Sequence, residues 1–70
     1  MILCPFCDGN GLIYQAKIKN QNEVIYICDE CDTIWHSKDI NENNCDNFEN
    51  YMGKHGLEAI WGNLADLVGL

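Results

Sequence analysis

Four of the five cysteines in this 70-residue chain fall into two pairs, Cys4-Pro5-Phe6-Cys7 and Cys28-Asp29-Glu30-Cys31. Twenty residues, Asp8 to Ile27, separate them. This C-x2-C-x20-C-x2-C pattern lies at the long end of the spacing that closes a tetrahedral zinc site. Four thiolates fill such a shell and leave no position for an activating water. The metal chemistry expected of Cys4, Cys7, Cys28 and Cys31 is therefore one structural Zn²⁺ that stabilises without catalysing. Apparent binding energies of structural zinc reach ~10 kcal/mol or more, so its removal should take away much of the folding free energy.

The elements that must deliver the sulfurs can be read from the intervening residues. Asp8-Gly9-Asn10-Gly11 turns the chain out of the first pair. Leu12 to Lys19 alternates, with Leu12, Tyr14, Ala16 and Ile18 on a greasy face and Ile13, Gln15, Lys17 and Lys19 on a wetter one. After the polar Asn20-Gln21-Asn22, Glu23 to Ile27 reads as a second strand running into Cys28. A hairpin of this kind brings its far ends within reach of one metal ion. Thr33-Ile34-Trp35-His36 reads as a short third strand.

Beyond the polar stretch Ser37 to Asn44, the pattern turns helical. Asp46 is expected as an N-cap, with Glu49 three residues on, and Phe48, Tyr51, Met52 and His55 form a stripe. Gly56 supplies the stop, with Leu57 folding back on Met52 in a Schellman arrangement. Leu57, Ile60, Trp61, Leu64, Leu67 and Val68 form a further helical stripe, weakened by Gly62. The expected organisation is a metal-bound ribbon over 1–37, a linker over 38–45 and a helical part over 46–70, in one compact domain. The helical part should pack on the hairpin through Tyr14, Ile25 or Tyr26, Phe48, Leu57, Ile60, Trp61 and Leu64.

Composition narrows the function. A 47% hydrophobic fraction excludes a disordered tail, yet a chain this short needs a staple. Met1 to Pro5 lacks the basic and apolar regions of a signal peptide, and no run approaches the roughly 18 apolar residues of a membrane helix. The expected home is the cytoplasm, where paired cysteines hold metal more often than disulfides. Eleven acidic residues face four lysines (Lys17, Lys19, Lys38, Lys54) and no arginine, for a net charge of −7. Such a chain repels a phosphate backbone and attracts a basic protein. Asp8, Asp29, Glu30 and Asp32 crowd the two cysteine pairs and form the candidate docking patch, with Trp61 as a candidate anchor. Cys45, His36 and His55 are not needed as ligands. No nucleophile–base pair, phosphate-binding loop or open metal position is recognisable, so no enzymatic activity is expected.

Cys4 to Trp35, with a CPxC turn, a hairpin, a CxEC turn and a Trp four residues beyond the last cysteine, resembles a zinc ribbon. The resemblance covers about half of the chain and implies a small α+β fold with those four cysteines as ligands. It implies little about function, because zinc ribbons serve many roles. Cys4-Pro5-Phe6-Cys7 also resembles the redox dithiol of glutaredoxins, but that family needs a strand before the motif and a helix after it. The stretch C-P-F-C-D-G-N-G resembles one cysteine-rich repeat of DnaJ-type chaperones, whereas Cys28 onward lacks the glycines. In size and charge the chain resembles small acidic immunity or antitoxin proteins that occupy the nucleic-acid site of basic bacterial nuclease toxins. Three roles follow as expectations. The first is an acidic protein-binding module of that kind. The second is a nucleic-acid-associated ribbon acting through Lys17 and Lys19, and the third a thiol-redox or zinc-handling protein.

Overall fold

The computed structural model describes residues 2–7, 10–19, 21 and 23–70. Its core is a five-stranded antiparallel sheet with one short helix, an α+β arrangement. The strands are β1 (Ile13–Ile18), β2 (Val24–Cys28), β3 (Thr33–Trp35), β4 (Cys45–Asn47) and β5 (Leu64–Gly69), in the order β4-β3-β2-β1-β5. The helix α1 spans Phe48–Lys54.

The expected hairpin is present. β1 pairs with β2 from Ile13↔Cys28 at one end to Lys17↔Val24 at the other, and β3 adds to β2 through Tyr26↔Trp35 and Ile27↔Ile34. Alternation then sorts the side chains into two cores. Ala16, Ile18, Ile25, Ile27 and Ile34 meet Phe48, Tyr51 and Met52 of α1, with Leu64 from β5. On the opposite face Ile13, Tyr26, Cys28 and Trp35 pack with Cys4. Ile25 is thus the residue that meets the helix, and Tyr26 belongs to the core that contains Cys4 and Cys28. The nominally wet face of β1 is dry where Ile13 lies, because the first cysteine pair folds over it.

The capping of α1 differs by one residue from expectation. Asn47, with extended backbone, is the N-cap, and its side-chain oxygen accepts from Asn50 N–H at 3.0 Å. Asp46 is held in β4 opposite Ile34, where it accepts from His36 Nε2 at 3.0 Å and from Asn47 N–H at 2.7 Å. Pairing with β3 therefore takes Asp46, and the neighbouring Asx residue starts the helix. Cys45 lies in the same short strand and is exposed. At the other end Leu57 N–H donates to Met52 carbonyl (2.9 Å) and Gly56 N–H to Gly53 carbonyl (3.1 Å). With Gly56 at φ 70°, this is the Schellman arrangement that the sequence implies.

The second helical stripe is not a helix. Trp61–Asn63 forms one 3-10 turn, and Leu64–Gly69 extends as β5 along β1. The outer edge of β1 would otherwise leave a row of unpaired peptide groups, and pairing them outweighs an amphipathic stripe interrupted by Gly62. The register slips between Gln15↔Val68 and Lys17↔Ala65, so Asp66 and Leu67 share the space opposite Ala16. Asp66 absorbs this bulge at φ 53°, a conformation that Asp tolerates better than most residues. Ile60, expected in the core, is half-exposed as a result. No helix among the described residues is long and apolar enough to cross a membrane.

The capping geometry makes a direct prediction. Asn47→Ala should lower unfolding stability by about 1 kcal/mol, whereas Asn47→Ser should nearly restore it. Chemical denaturation at fixed, saturating zinc reads the difference.

Candidate metal centre

The four paired cysteines converge at one end of the hairpin. Cys28 ends β2 and lies opposite Ile13, the first residue of β1. The segment carrying Cys4 is tied to the start of β1, because Cys4 N–H donates to the Gly11 carbonyl (3.0 Å) and Ile13 N–H to the Ile2 carbonyl (3.0 Å). Cys31 follows on the tight turn from Cys28 into β3. As a result Cys4 Sγ lies 3.7 Å from Cys31 Sγ, Cys7 Sγ lies 3.6 Å from Cys28 Sγ, and all four sulfurs fall within 4.8 Å of one another. A tetrahedron with ligands at ~2.3 Å from its centre has edges of about 3.8 Å, so the sulfurs already stand near the spacing zinc requires.

The surroundings fit the donor set. Cys4 and Cys28 are buried, Cys7 is half-buried and Cys31 is exposed, so the cluster is anchored in the core and reaches solvent on one side. Glu30 N–H points at Cys28 Sγ (3.4 Å), the kind of donor that stabilises a thiolate. The Thr33 hydroxyl lies 3.1 Å from Cys31 Sγ. Trp35 is fully buried beside the cluster, with Nε1 donating to the Asn41 carbonyl at 2.8 Å and Phe6 stacked on its ring. The loop after β3 and the first cysteine turn thus close over the same indole.

Protonation follows these environments. Burial, foremost, pushes the Cys4 thiol up to about 11. Burial, and then the neighbouring sulfurs, push Cys7 well above the ordinary thiol value. Burial also raises Cys31, but hydrogen bonds from the Thr33 hydroxyl and backbone outweigh it and bring this thiol down to about 7. Without a metal, therefore, Cys4 and Cys7 keep their protons at neutral pH, and a metal must displace them.

Gly11 is a site residue that spacing alone does not reveal. Its sequence role is a turn, but a Cβ placed there would lie 2.4 Å from Cys28 Sγ and 3.1 Å from Cys7 Sγ. The backbone passes so close to the sulfurs that only hydrogen fits. No periodicity or motif marks such a contact.

The acidic candidates divide by what they touch. Asp29, Glu30 and Asp32 are exposed around Cys31. Asp29 also locks the hairpin end, accepting from Leu12 N–H (2.9 Å) while its own N–H donates to the Leu12 carbonyl (3.1 Å). Asp32 sits at φ 57° and accepts from Trp61 Nε1 at 3.0 Å. Trp61 is half-buried, edge-on to Tyr14, and so braces the second cysteine turn. Asp8 lies outside the described residues.

His36 and His55 serve another purpose. Both rings lie against Tyr51 of α1, with centroids at 5.1 and 4.7 Å. His36 bonds Asp46, while His55 Nε2 lies 3.5 Å from Glu23 Oε2, the carboxylate that also accepts from the Tyr51 hydroxyl. The hydrogen bond from His36 holds the Asp46 carboxyl below its ordinary range. The Glu23 carboxylate, after burial, keeps the Tyr51 proton in place at any physiological pH. This cluster pins the helix to the sheet and was invisible as a sequence pattern, since its members come from separate elements.

The fold and site together define a small α+β protein with a four-cysteine cluster compatible with one zinc or a similar metal. No protein-family model, curated protein or solved structure matches the chain.

Two outcomes follow. Gly11→Ala should weaken zinc binding by roughly 10-fold or more, by analogy with lesions just outside metal ligands. Gly62→Ala, whose Cβ would meet Ile60 at an ordinary 3.6 Å, should leave it unchanged. Competition with a chromophoric chelator measures both. Zinc binding should also release protons at pH 7, and affinity should fall as the pH falls because the raised thiols reclaim their protons. A weakly buffered indicator titration and affinities at several pH values test the sign.

Proposed function

We propose that this protein is a zinc-stapled, protein-binding domain whose acidic cysteine tip docks a basic protein. The observation that carries the reading is the segregation of charge along the hairpin. Asp29, Glu30 and Asp32 ring the exposed Cys31 at the Cys28 end of β2, while Lys17 and Lys19 lie at the opposite end of β1, beside Val24. Asp29 bonds to Leu12, five residues before Lys17, so the acids and the lysines stand about 16 Å or more apart along the strand. Four thiolates on Zn²⁺ would add about −2 to the same tip.

When bound, zinc supplies a closed four-sulfur staple. The chain's own residues do the rest. Asp29 and Asp32 are fixed by neutral N–H donors, so their charges are held in place without being cancelled. A fixed acidic field accelerates encounter with a basic surface and disfavours nucleic acid. In its most concrete form the partner is a basic nuclease toxin, with this chain acting as an immunity or antitoxin-type inhibitor in the bacterial cytoplasm. Size and charge support that form. No enzymatic role is proposed, because the cluster offers four ligands to one ion and no open position.

Affinity capture from the source cells, with native mass spectrometry of the eluate, tests the reading. Glu30→Lys is the informative variant, because Asp29 and Asp32 carry structural hydrogen bonds. A stoichiometric basic protein should be retained at low salt, bind at least about 10-fold more weakly to Glu30→Lys, and elute as salt rises. Recovery of nucleic acid, with loss on changing Lys17 and Lys19, would replace this reading with the nucleic-acid one.

A further inference from the structure

The four clustered sulfurs do not meet solvent equally. Cys31 is exposed and Cys7 half-buried, whereas Cys4 and Cys28 are buried. Two contacts between them cross from one cysteine turn to the other. Cys4 Sγ lies 3.7 Å from Cys31 Sγ and Cys7 Sγ lies 3.6 Å from Cys28 Sγ, each oriented as in a sulfur–sulfur hydrogen bond. Each contact thus joins an accessible sulfur to a buried one. The backbone keeps the two turns apposed without help from the sulfurs. Cys4 N–H donates to the Gly11 carbonyl (3.0 Å), Ile13 pairs with Cys28, and two hydrogen bonds (2.9 and 3.1 Å) join Leu12 to Asp29.

We propose that the cluster has a second covalent state, in which disulfides Cys4–Cys31 and Cys7–Cys28 replace the metal. The cluster is then a thiol–disulfide switch that responds to low-molecular-weight disulfides such as oxidised glutathione. Cys31 is the sulfur that such a reagent reaches first. Its thiolate attacks one glutathione sulfur, the reagent's S–S bond breaks, and one glutathione thiolate leaves. The Cys4 thiolate then attacks Cys31 Sγ, forms the Cys4–Cys31 bond and expels the second glutathione thiolate. Cys7 and Cys28 repeat the exchange with a second molecule of oxidised glutathione. In sum, four thiolates pass four electrons to two molecules of reagent, four reduced glutathiones are released, and the chain gives up its Zn²⁺. Closing each bond to about 2 Å brings together sulfurs already in contact. The bonds join positions 27 and 21 apart in the chain. A bond inside one C-x-x-C pair closes a much shorter loop and constrains the unfolded chain less. Cys45 takes no part, since it lies exposed on β4 with its thiol 4.0 Å from the Glu42 carbonyl.

Peptide mapping of the zinc-loaded full chain after treatment with excess oxidised glutathione, without reductant, tests the pairing. Trypsin cuts after Lys17, Lys19 and Lys38, so Cys4 and Cys7 fall in one peptide and Cys28 and Cys31 in another. The two peptides should stay joined. Further cleavage after Phe6 and Glu30 should split them into a Cys4–Cys31 piece and a Cys7–Cys28 piece, with glutathione on Cys45 alone. Zinc release, followed with a chromophoric chelator, should keep pace with cross-linking. The oxidised chain should melt at a higher temperature than the reduced, chelator-stripped chain, and a reductant should abolish the difference. Cys45→Ser should leave the map unchanged. Peptides that separate with each pair closed on itself, glutathione on all five cysteines without a cross-link, or a bond to Cys45 would each overturn the inference. These readouts need only the chain and the reagent, so the switch and the docking of a basic protein can fail independently.

Discussion

Four sulfurs held within 4.8 Å of one another are the constraint from which the rest of this structure follows. As thiolates they repel, and as buried thiols they contribute little; only a cation at their centre makes the arrangement strongly favourable. Cys4, Cys28, Ile13, Tyr26 and Trp35 form a single apolar cluster, so the four-cysteine cluster is rooted in one of the two hydrophobic cores. The other core, under α1, is larger but rests on the same two central strands. Without a cation at that centre, the two cysteine turns and the cover over Trp35 would rest on these apolar contacts and on the β1–β2 ladder alone.

The parts of the fold that were legible in the sequence are those set by local chemistry. Paired cysteines around an alternating hairpin permit few arrangements, and Gly56 followed by Leu57 specifies a helix stop. What was not legible depends on neighbours distant in sequence. Asp46 and Asn47 are both good caps, and only the Ile34↔Asp46 pairing decides between them. The stripe Leu57, Ile60, Trp61, Leu64, Leu67, Val68 has helical spacing, yet the open edge of β1 claims it as a strand. The bulge at Asp66 is part of the deception. An extra residue in the strand shifts Leu67 and Val68 into positions that suit a helix as well.

The candidate site divides in the same way. Its ligands were legible because their spacing is itself the chemistry. Gly11 was not, because its role is the absence of a side chain beside two sulfurs that come from separate turns. The Tyr51 cluster draws Glu23, His36, Asp46 and His55 from four separate segments, and no linear pattern can anticipate it.

The acidic tip shows why structural and electrostatic roles need not compete. A carboxylate that accepts a hydrogen bond from a neutral N–H remains fully charged, while its position becomes fixed. Asp29 is fixed to Leu12 of the hairpin, and Asp32 to Trp61, which itself leans on Tyr14 of β1. Trp61 also leads through its 3-10 turn directly into β5. The same contact that orients an acidic group beside Cys31 therefore sets the start of the strand that covers the outer edge of β1. Glu30, between them, has its side chain free in solvent but its N–H on Cys28 Sγ. Charge at this tip is thus presented by a backbone that the sulfurs hold in place, which ties any docking role of the acids to the integrity of the metal centre.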